Sequence, residues 1–162
     1  MAQNYGKKFE LKFKEDFQKI PNNSIDRIYD TTNGFRGIKN ICDFIAYVYP
    51  SIYYFECKSI KGNTFPLSNL KQYDKLLQKK GIKGVYAGAV IWFYEKDKVV
   101  YVPIETFEKI KKENKKSYNL KEMLNNKEYP SIDIPSIKKR TFMDSDYTVL
   151  LNMEEYNGKR SK

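Results

Sequence analysis

The positions of apolar residues predict several helices along the chain. The aromatic residues of 4–20 recur at helical spacing while lysine and glutamate fill most positions between them, which is the pattern of an amphipathic helix. A second helix is predicted at about 67–80. A third is predicted to begin at Pro103, because proline fits the first turn of a helix. A short helix is expected in the tail that starts at residue 117.

Runs of β-branched and aromatic residues predict strands between these helices. The predicted strands are 24–29, 41–49, 51–58, 85–94, 98–103 and, in the tail, 147–151. The run at 85–94, VYAGAVIWFY, is the most apolar of the chain. Such a run is typical of a central strand that is covered on both faces.

The stretch 41–58, ICDFIAYVYPSIYYFECK, organises the rest of the chain, because its two strands are predicted to form a hairpin. A turn centred between Tyr49 and Pro50 places Asp43 directly opposite Glu56, with Cβ atoms about 5 Å apart. Side chains alternate along a strand, so Lys58 points to the same face as Glu56. One face of the hairpin is therefore predicted to carry two acids and an amine.

Asp43, Glu56 and Lys58 are the candidate catalytic residues. Two adjacent carboxylates repel unless a cation or a proton lies between them, and hard oxygen ligands favour Mg²⁺ or Mn²⁺ over zinc. We therefore interpret Asp43 and Glu56 as metal ligands, with Lys58 stabilising phosphate charge or orienting a water. Alternatively, Glu56 and Lys58 form an exposed strand pair and Asp43 ends a ladder, although the flanking strands are too apolar for a solvated edge.

The charge balance points to a polyanionic partner such as DNA. The chain has 30 Lys and Arg residues against 20 Asp and Glu, a net charge of +10, and 14 tyrosines that offer flat surfaces for stacking. Lys61, Lys111 and Lys115 are candidate DNA contacts, the last two on the outer face of the helix after Pro103. Alternatively, these lysines form a solvated surface of a basic protein.

A length of 162 residues predicts a single domain, with a core at about 5–107 and a C-terminal extension at 117–162. No signal peptide or apolar run of about 20 residues is evident. We therefore expect a cytoplasmic protein with no membrane partner. Cys42 and Cys57 occur without any histidine, so a structural zinc site is not expected, and both are predicted to be reduced core residues facing away from the acids.

Other candidate residues lie near the predicted hairpin. Glu10, beside the apolar stripe of the first helix, is a possible outer metal ligand. Gln72 and Asp74, on the second helix, could also reach the site. Phe35 and Arg36 lie between two glycines in the loop 31–40 and are candidate DNA contacts on an exposed projection, although Phe35 could instead fold back onto the core.

The order of elements, with Asp43 followed by Glu56-Cys57-Lys58, resembles the core of PD-(D/E)XK nucleases. A more specific resemblance is to the RecU family of Holliday-junction resolvases and its phage relatives. It rests on this spacing, on the sequence KGNTFPLSN at 61–69 and on the aromatic strand near IWF at 91–93, and it covers about 5–107. It implies an α/β fold with a restriction-endonuclease-like core, in which helices flank a mixed central β-sheet.

The resemblance also implies a homodimer that binds four-way DNA junctions and cuts two opposed strands with Mg²⁺. Asp43 and Glu56 match the metal-binding carboxylates of the family, and Lys58 matches its transition-state stabiliser. Two positions depart from the pattern. Ile41 stands where the family has a threonine ligand, and Asp74 stands where it has a glutamine ligand.

The sequence thus predicts a Mg²⁺-dependent endonuclease, with Mn²⁺ as a substitute ion, that resolves four-way junctions during recombination and repair. Two alternatives remain open. The protein could be a restriction-like or repair nuclease that acts on linear or branched DNA, or a DNA-binding adaptor whose site is inert. The intact set of Asp43, Glu56 and Lys58 argues against the second alternative.

Overall fold

A computed structural model describes residues 4–29, 39–125 and 127–153. The helices are α1 (Tyr5–Phe17), α2 (Tyr73–Leu77), α3 (Ile104–Lys112) and α4 (Leu120–Asn125). The strands are β1 (Asn23–Arg27), β2 (Phe44–Val48), β3 (Ser51–Ile60), β4 (Thr64–Pro66), β5 (Val85–Phe93), β6 (Lys98–Pro103), β7 (Ser117–Asn119), β8 (Ile132–Ile134), β9 (Ser136–Lys138) and β10 (Met143–Ser145). Two 3-10 segments, Leu67–Asn69 and Tyr147–Asn152, complete the described elements.

Helix α1 has the predicted amphipathic character. Phe9, Phe13 and Phe17 are buried, and they form one side of a core beneath the helix. The ring of Phe13 meets the edges of Phe55 and Tyr147 at centroid separations of 5.1 and 4.9 Å, an arrangement that aromatic pairs favour. The apolar stripe therefore fixes α1 against β3.

The centre of the fold is a six-stranded sheet with the order β1-β2-β3-β5-β6-β8. Strands β3 and β5 run parallel, and the other neighbouring pairs are antiparallel. Helix α1 packs on one face of the sheet, whereas residues of α2 and α3 contribute to a second core on the other face. The predicted mixed sheet flanked by helices is thus confirmed.

Strand β5 is buried on both faces, as its composition predicts, and every residue from position 87 to 93 is buried. Gly88 permits a close approach between β5 and β6. A Cβ atom at this position would lie 2.3 Å from the carbonyl oxygen of Val102 and 2.8 Å from the side chain of Tyr101. No larger residue fits there unless the backbone shifts, so Gly88 allows the Tyr101 ring to be fully buried.

Two predicted elements are wrong. The helix expected at 67–80 is instead a 3-10 turn followed by the short α2, and Leu70 between them has ψ near 74° and is outside the helical region. The strand expected at 147–151 is the 3-10 segment Tyr147–Asn152. Tyr147 and Leu150 are three residues apart and both are buried, so one face of the 3-10 segment packs into the core.

The C-terminal part of the chain contributes to the central sheet and its core. Strand β8 pairs with β6 as the sixth strand, and β9 and β10 form a separate two-stranded sheet. Asp16 of α1 accepts a hydrogen bond from the Ser145 backbone N–H, 2.9 Å, and ion pairs from Lys12 and Lys19. Within the described residues, no helix combines the length and the apolar character that a membrane span requires.

Candidate active site

The β2–β3 hairpin has the predicted register, with Phe44 opposite Phe55. The ladder ends at this pair, so Asp43 lies just before β2 and is not a strand partner of Glu56. Its backbone N–H donates instead to the Phe55 carbonyl, 3.1 Å. The direct cross-strand pairing of Asp43 with Glu56 was therefore wrong in detail, although the hairpin still brings the two residues to one end of β2.

The Asp43 carboxylate is held by the backbone of β3. Strand β3 continues to Ile60, beyond the point where its partner β2 begins, which leaves its edge without a strand. Cys57 donates its backbone N–H to Asp43 Oδ2, 2.8 Å, so a side chain replaces the missing strand partner. Because Cys57 directly follows Glu56, this bond places the two acids beside each other.

Glu56 is almost completely buried, with 1% of its surface exposed. Lys58 Nζ lies 2.8 Å from Glu56 Oε1, which confirms that the two side chains share one face of β3. Glu56 Oε2 is buried and has no hydrogen-bond partner in the described part of the chain. An unsatisfied buried oxygen costs free energy, and it is the type of atom that a bound cation would satisfy.

The electrostatics of the site favour a neutral or metal-bound Glu56. Burial first, and then the Asp43 carboxylate, raise the pKa of Glu56 to about 7, against the opposing effect of Lys58. Burial and Asp43 also raise the pKa of Glu10, against the effects of Arg27 and Lys58. The three acids therefore share one electrostatic environment, in which negative charge exceeds what the nearby cations neutralise.

Glu10 belongs to this environment and is held by a residue that the sequence analysis missed. Arg27 forms an ion pair with Glu10. It occupies the last position of β1, where it pairs with Phe44, the first residue of β2. The available signal was an arginine near the end of a predicted strand directly before the loop that leads to Asp43.

The two cysteines are free and buried. Cys57 belongs to the core beneath α1, whereas Cys42 belongs to the core beside α2 and α3. The prediction that both would point to the same face was wrong, because Asp43 and Cys42 lie outside β2 and strand alternation does not apply to them. Burial raises the pKa of Cys42 to about 12, so its thiol is protonated and unreactive.

The described side chains do not form a complete protein cage for a metal. Among them, no group of three His, Cys, Asp or Glu residues has the geometry to hold an ion. Two carboxylates suffice for Mg²⁺, which keeps several waters and is commonly held by one or two acids together with substrate phosphate. The unsatisfied Oε2 of Glu56 and the carboxylate of Asp43 fit that ligand set.

Asp74, the other predicted ligand, has a different environment. It is exposed and lines a groove between α2 and α3 together with Lys71 and Lys111. Its neighbour Gln72 has a buried side-chain oxygen, Oε1, with no hydrogen-bond partner in the described part of the chain. Gln72 is thus less exposed than Asp74, and the amide ligand that the family resemblance implies stays a prediction.

The predicted DNA contacts are spread over the surface. Lys111 Nζ lies 4.1 Å from the ring centroid of Tyr73, and Lys115 Nζ lies 4.2 Å from that of Tyr129. Lys61 is exposed beside Glu95. Phe35 and Arg36 lie outside the described residues, so their proposed contacts with DNA stay predictions.

Comparisons with known proteins identify the family of this chain. The family model of RecU, recombination protein U, matches residues 11–145. Among solved structures, the chain is similar to Archaeoglobus fulgidus Hjc, a Holliday junction resolvase from an archaeal hyperthermophile, with 13% sequence identity and a TM-score of 0.44 over 65% of this chain and 78% of Hjc. No curated protein matches the sequence. Because the RecU model extends from the middle of α1 to the end of β10, the chain belongs to the RecU family.

Proposed function

We propose that the protein is a cytoplasmic, metal-dependent endonuclease that resolves four-way DNA junctions in recombination and repair. The observation that carries this proposal is the buried Glu56, whose Oε1 pairs with Lys58 and whose Oε2 has no partner in the described part of the chain. The membership of the chain in the RecU family gives this acidic centre its substrate class. The net charge of +10 supports a nucleic-acid substrate.

In this proposal, Asp43 and Glu56 hold Mg²⁺, and Mn²⁺ can replace it because both prefer oxygen ligands. When bound, such an ion polarises a phosphoryl oxygen and lowers the pKa of a bound water. The Cys57 N–H keeps the Asp43 carboxylate oriented. Lys58, paired with Glu56 in the free protein, stabilises the negative charge that develops on the phosphate.

Glu10 and Arg27 lie at the edge of the site, on the side of α1. Their ion pair orients Glu10, which lines an open groove together with Lys58 and Ser59. In this proposal, Glu10 is an outer residue that accepts a hydrogen bond from a water in the groove. Burial and the Asp43 carboxylate raise the pKa of Glu10 above its usual value, and Arg27 and Lys58 oppose this shift.

Resolution of a junction requires two cuts at symmetric positions, whereas each chain supplies one acidic centre. We therefore propose a homodimer whose two-fold axis matches that of the junction. Light scattering on the protein with and without a four-way junction tests this assembly. A monomer that still cuts both strands in one binding event would contradict it.

A cleavage assay tests the function as a whole. A four-way junction and a linear duplex of the same sequence are each incubated with the protein, without metal and with Mg²⁺, Mn²⁺ or Ca²⁺. We expect paired cuts in the junction only with Mg²⁺ or Mn²⁺. Equal cutting of both substrates would favour a nuclease for linear or branched DNA, and tight binding without any cutting would favour an inert adaptor.

A further inference from the structure

Two tyrosines form a flat stack beside the acidic centre. The rings of Tyr5 and Tyr94 are parallel within 3°, with centroids 4.0 Å apart. Trp92 meets each of them with its ring at a steep angle, at centroid separations of 5.8 Å. We call this pair the tyrosine stack. Both tyrosines remain partly exposed, so the stack is not enclosed by the core.

The tyrosine stack borders two grooves. Tyr5 and Tyr94 line the groove that contains Lys58 and Glu10. The same two residues also line a second groove, whose cations are Lys138, Lys139 and Arg140. A DNA strand that runs from Lys58 to these cations would therefore cross the tyrosine stack.

The backbone holds the stack at a fixed place relative to Lys58. Ser59 Oγ donates a hydrogen bond to the Tyr5 carbonyl, 3.3 Å. Tyr94 donates its backbone N–H to the Ile60 carbonyl, 3.3 Å. Both bonds involve the end of β3, so the stack is attached to the strand that carries Lys58.

The second groove provides a cation for a phosphate. Lys138 pairs with Asp97 at 2.7 Å, and Lys139 pairs with Asp144 at 3.5 Å. Arg140 is exposed. No carboxylate of the described residues lies within ion-pair distance of it. Arg140 therefore keeps its charge available for a phosphate on the far side of the tyrosine stack.

Flat aromatic surfaces bind bases whose faces are accessible, and this stacking tolerates any base. In a continuous duplex the faces are covered by neighbouring base pairs, whereas the pairs at the centre of a junction have accessible faces. We propose that the tyrosine stack receives the base next to the cut phosphate at the branch point, and that the strand continues toward Arg140. This inference rests on the proposed nuclease function and gives it a source of selectivity for branched DNA.

The experiment places 2-aminopurine at the branch point of a four-way junction and measures its emission on binding with Ca²⁺ in place of Mg²⁺. Tyr94→Phe keeps a flat ring, whereas Tyr94→Leu keeps an apolar side chain without one. We expect quenching with the parent protein and Tyr94→Phe, and its loss with Tyr94→Leu. Trp92 is the single tryptophan of the chain. Its emission should change on binding in the parent protein and in Tyr94→Phe, and this change should be lost in Tyr94→Leu.

The same variants are compared in cleavage with Mg²⁺. Stacking on one aromatic ring predicts about a tenfold loss in the ratio of junction to linear-duplex cleavage for Tyr94→Leu. Tyr47→Leu is the matched control, because Tyr47 is an exposed tyrosine of β2 opposite Ile52, near the other end of β3. Arg140→Ala should lower the salt dependence of junction binding by about one counterion.

Unchanged quenching and selectivity in Tyr94→Leu would overturn the inference, because a packing role alone is satisfied by leucine. If Tyr94→Leu unfolds, Tyr5→Leu provides the same comparison from the other ring. A different outcome would contradict the proposed function, namely that the parent protein binds junctions but does not cut them. In that case the 2-aminopurine signal still decides whether the stack receives a base.

Discussion

Glu56 has an arrangement that is costly in a protein without a ligand. A buried carboxylate loses hydration, and one oxygen without a partner adds to that cost. Lys58 compensates only Oε1, and the Asp43 carboxylate nearby makes the ionised form less favourable. Such a group is retained at sites where a bound cation or a reaction requires it.

Removal of either acid should separate cutting from binding. Asp43→Asn and Glu56→Gln each lose a ligand charge, so we expect Mg²⁺-dependent cleavage to fall by about 10² or more, while junction affinity stays equal or rises because repulsion of phosphate falls. Filter binding and single-turnover cleavage measure the two effects. Asp26→Asn, an exposed acid of β1, is the control, and full activity in either acid variant would refute the metal assignment.

The raised pKa of Glu56 predicts how metal-free stability depends on pH. The folded protein holds this proton up to about pH 7, whereas the unfolded chain releases it near pH 4.3. The stabilisation from Glu56 is therefore fully present below the unfolded pKa and is lost as the pH rises through about 7. The free energy of unfolding of the parent should fall by up to about 3 kcal/mol more than that of Glu56→Gln over this range.

Denaturant unfolding in EDTA at pH 5 to 8 measures this difference. The chain has no histidine, which removes the side chain that usually titrates in this window. Mg²⁺ should reduce the difference at pH 8, because it stabilises the ionised form. Parallel pH profiles of the parent and Glu56→Gln would show that Glu56 titrates normally.

At the same scale, the sequence identified the type of site better than its geometry. The spacing of Asp43, Glu56 and Lys58 predicted a common location because the hairpin register depends on local turn and strand patterns. The position of Arg27 near the end of a predicted strand was a signal, but its pairing with Glu10 and the bond from Cys57 to Asp43 were not predictable. Both depend on where β2 begins and on how α1 crosses the sheet, and neither leaves a periodic signal in the chain.

Among the elements, α1 is the helix that joins the acidic centre to the C-terminal strands. Its residue Asp16 is buried. The Asp16 carboxylate forms ion pairs with Lys12 and Lys19 and accepts a hydrogen bond from the backbone N–H of Ser145. Glu10, on the same helix, forms an ion pair with Arg27 beside the acidic centre. The position of α1 therefore depends on a polar cluster at one end and on an apolar stripe along its length.

Loss of the Asp16 carboxylate should loosen this attachment. Removal of one member of a buried ion pair costs about 3 kcal/mol or more, so we expect Asp16→Ala to lower the free energy of unfolding by about that amount. Glu15→Ala, an exposed acid on the same helix, should change it by less than about 0.5 kcal/mol. Denaturant titration followed by Trp92 fluorescence measures both, and equal stabilities would show that the cluster is solvated.

The elements that were predicted correctly are those with a long, uniform pattern. Strand β5 and helix α3 follow directly from their apolar spacing, whereas α2 is shorter than expected because the residues just before the predicted helix pair with a distant strand. Pro66 of β4 pairs with Ser117 of β7, and the chain needs several residues to turn from that pair into a helix. Strand β8 has only three residues, too few for any period to be recognised.

For the whole molecule, the basic surface should dominate binding to DNA. Each lysine that meets a phosphate releases about one condensed counterion, so the affinity for a junction should fall steeply with salt. The double variant Lys111→Ala/Lys115→Ala should reduce the slope of log K against log salt by about two. The control variant Lys83→Ala/Lys121→Ala removes equal charge from exposed positions outside the groove between α2 and α3. An equal effect of both pairs would indicate that the positive charge of the whole surface, and not this groove, binds the DNA.

The long-range bonds of the core also set an order of events during synthesis of the chain. Asp16 and Ser145 are 129 positions apart, and the Tyr53 hydroxyl reaches the Leu150 carbonyl across 97 positions. While the ribosome has completed only β6, the hairpin with Asp43 and Glu56 can form, but α1 lacks its C-terminal partners. The acidic centre is thus fully supported only late in translation, so an incomplete nascent chain carries the acids of a nuclease without the framework that positions them.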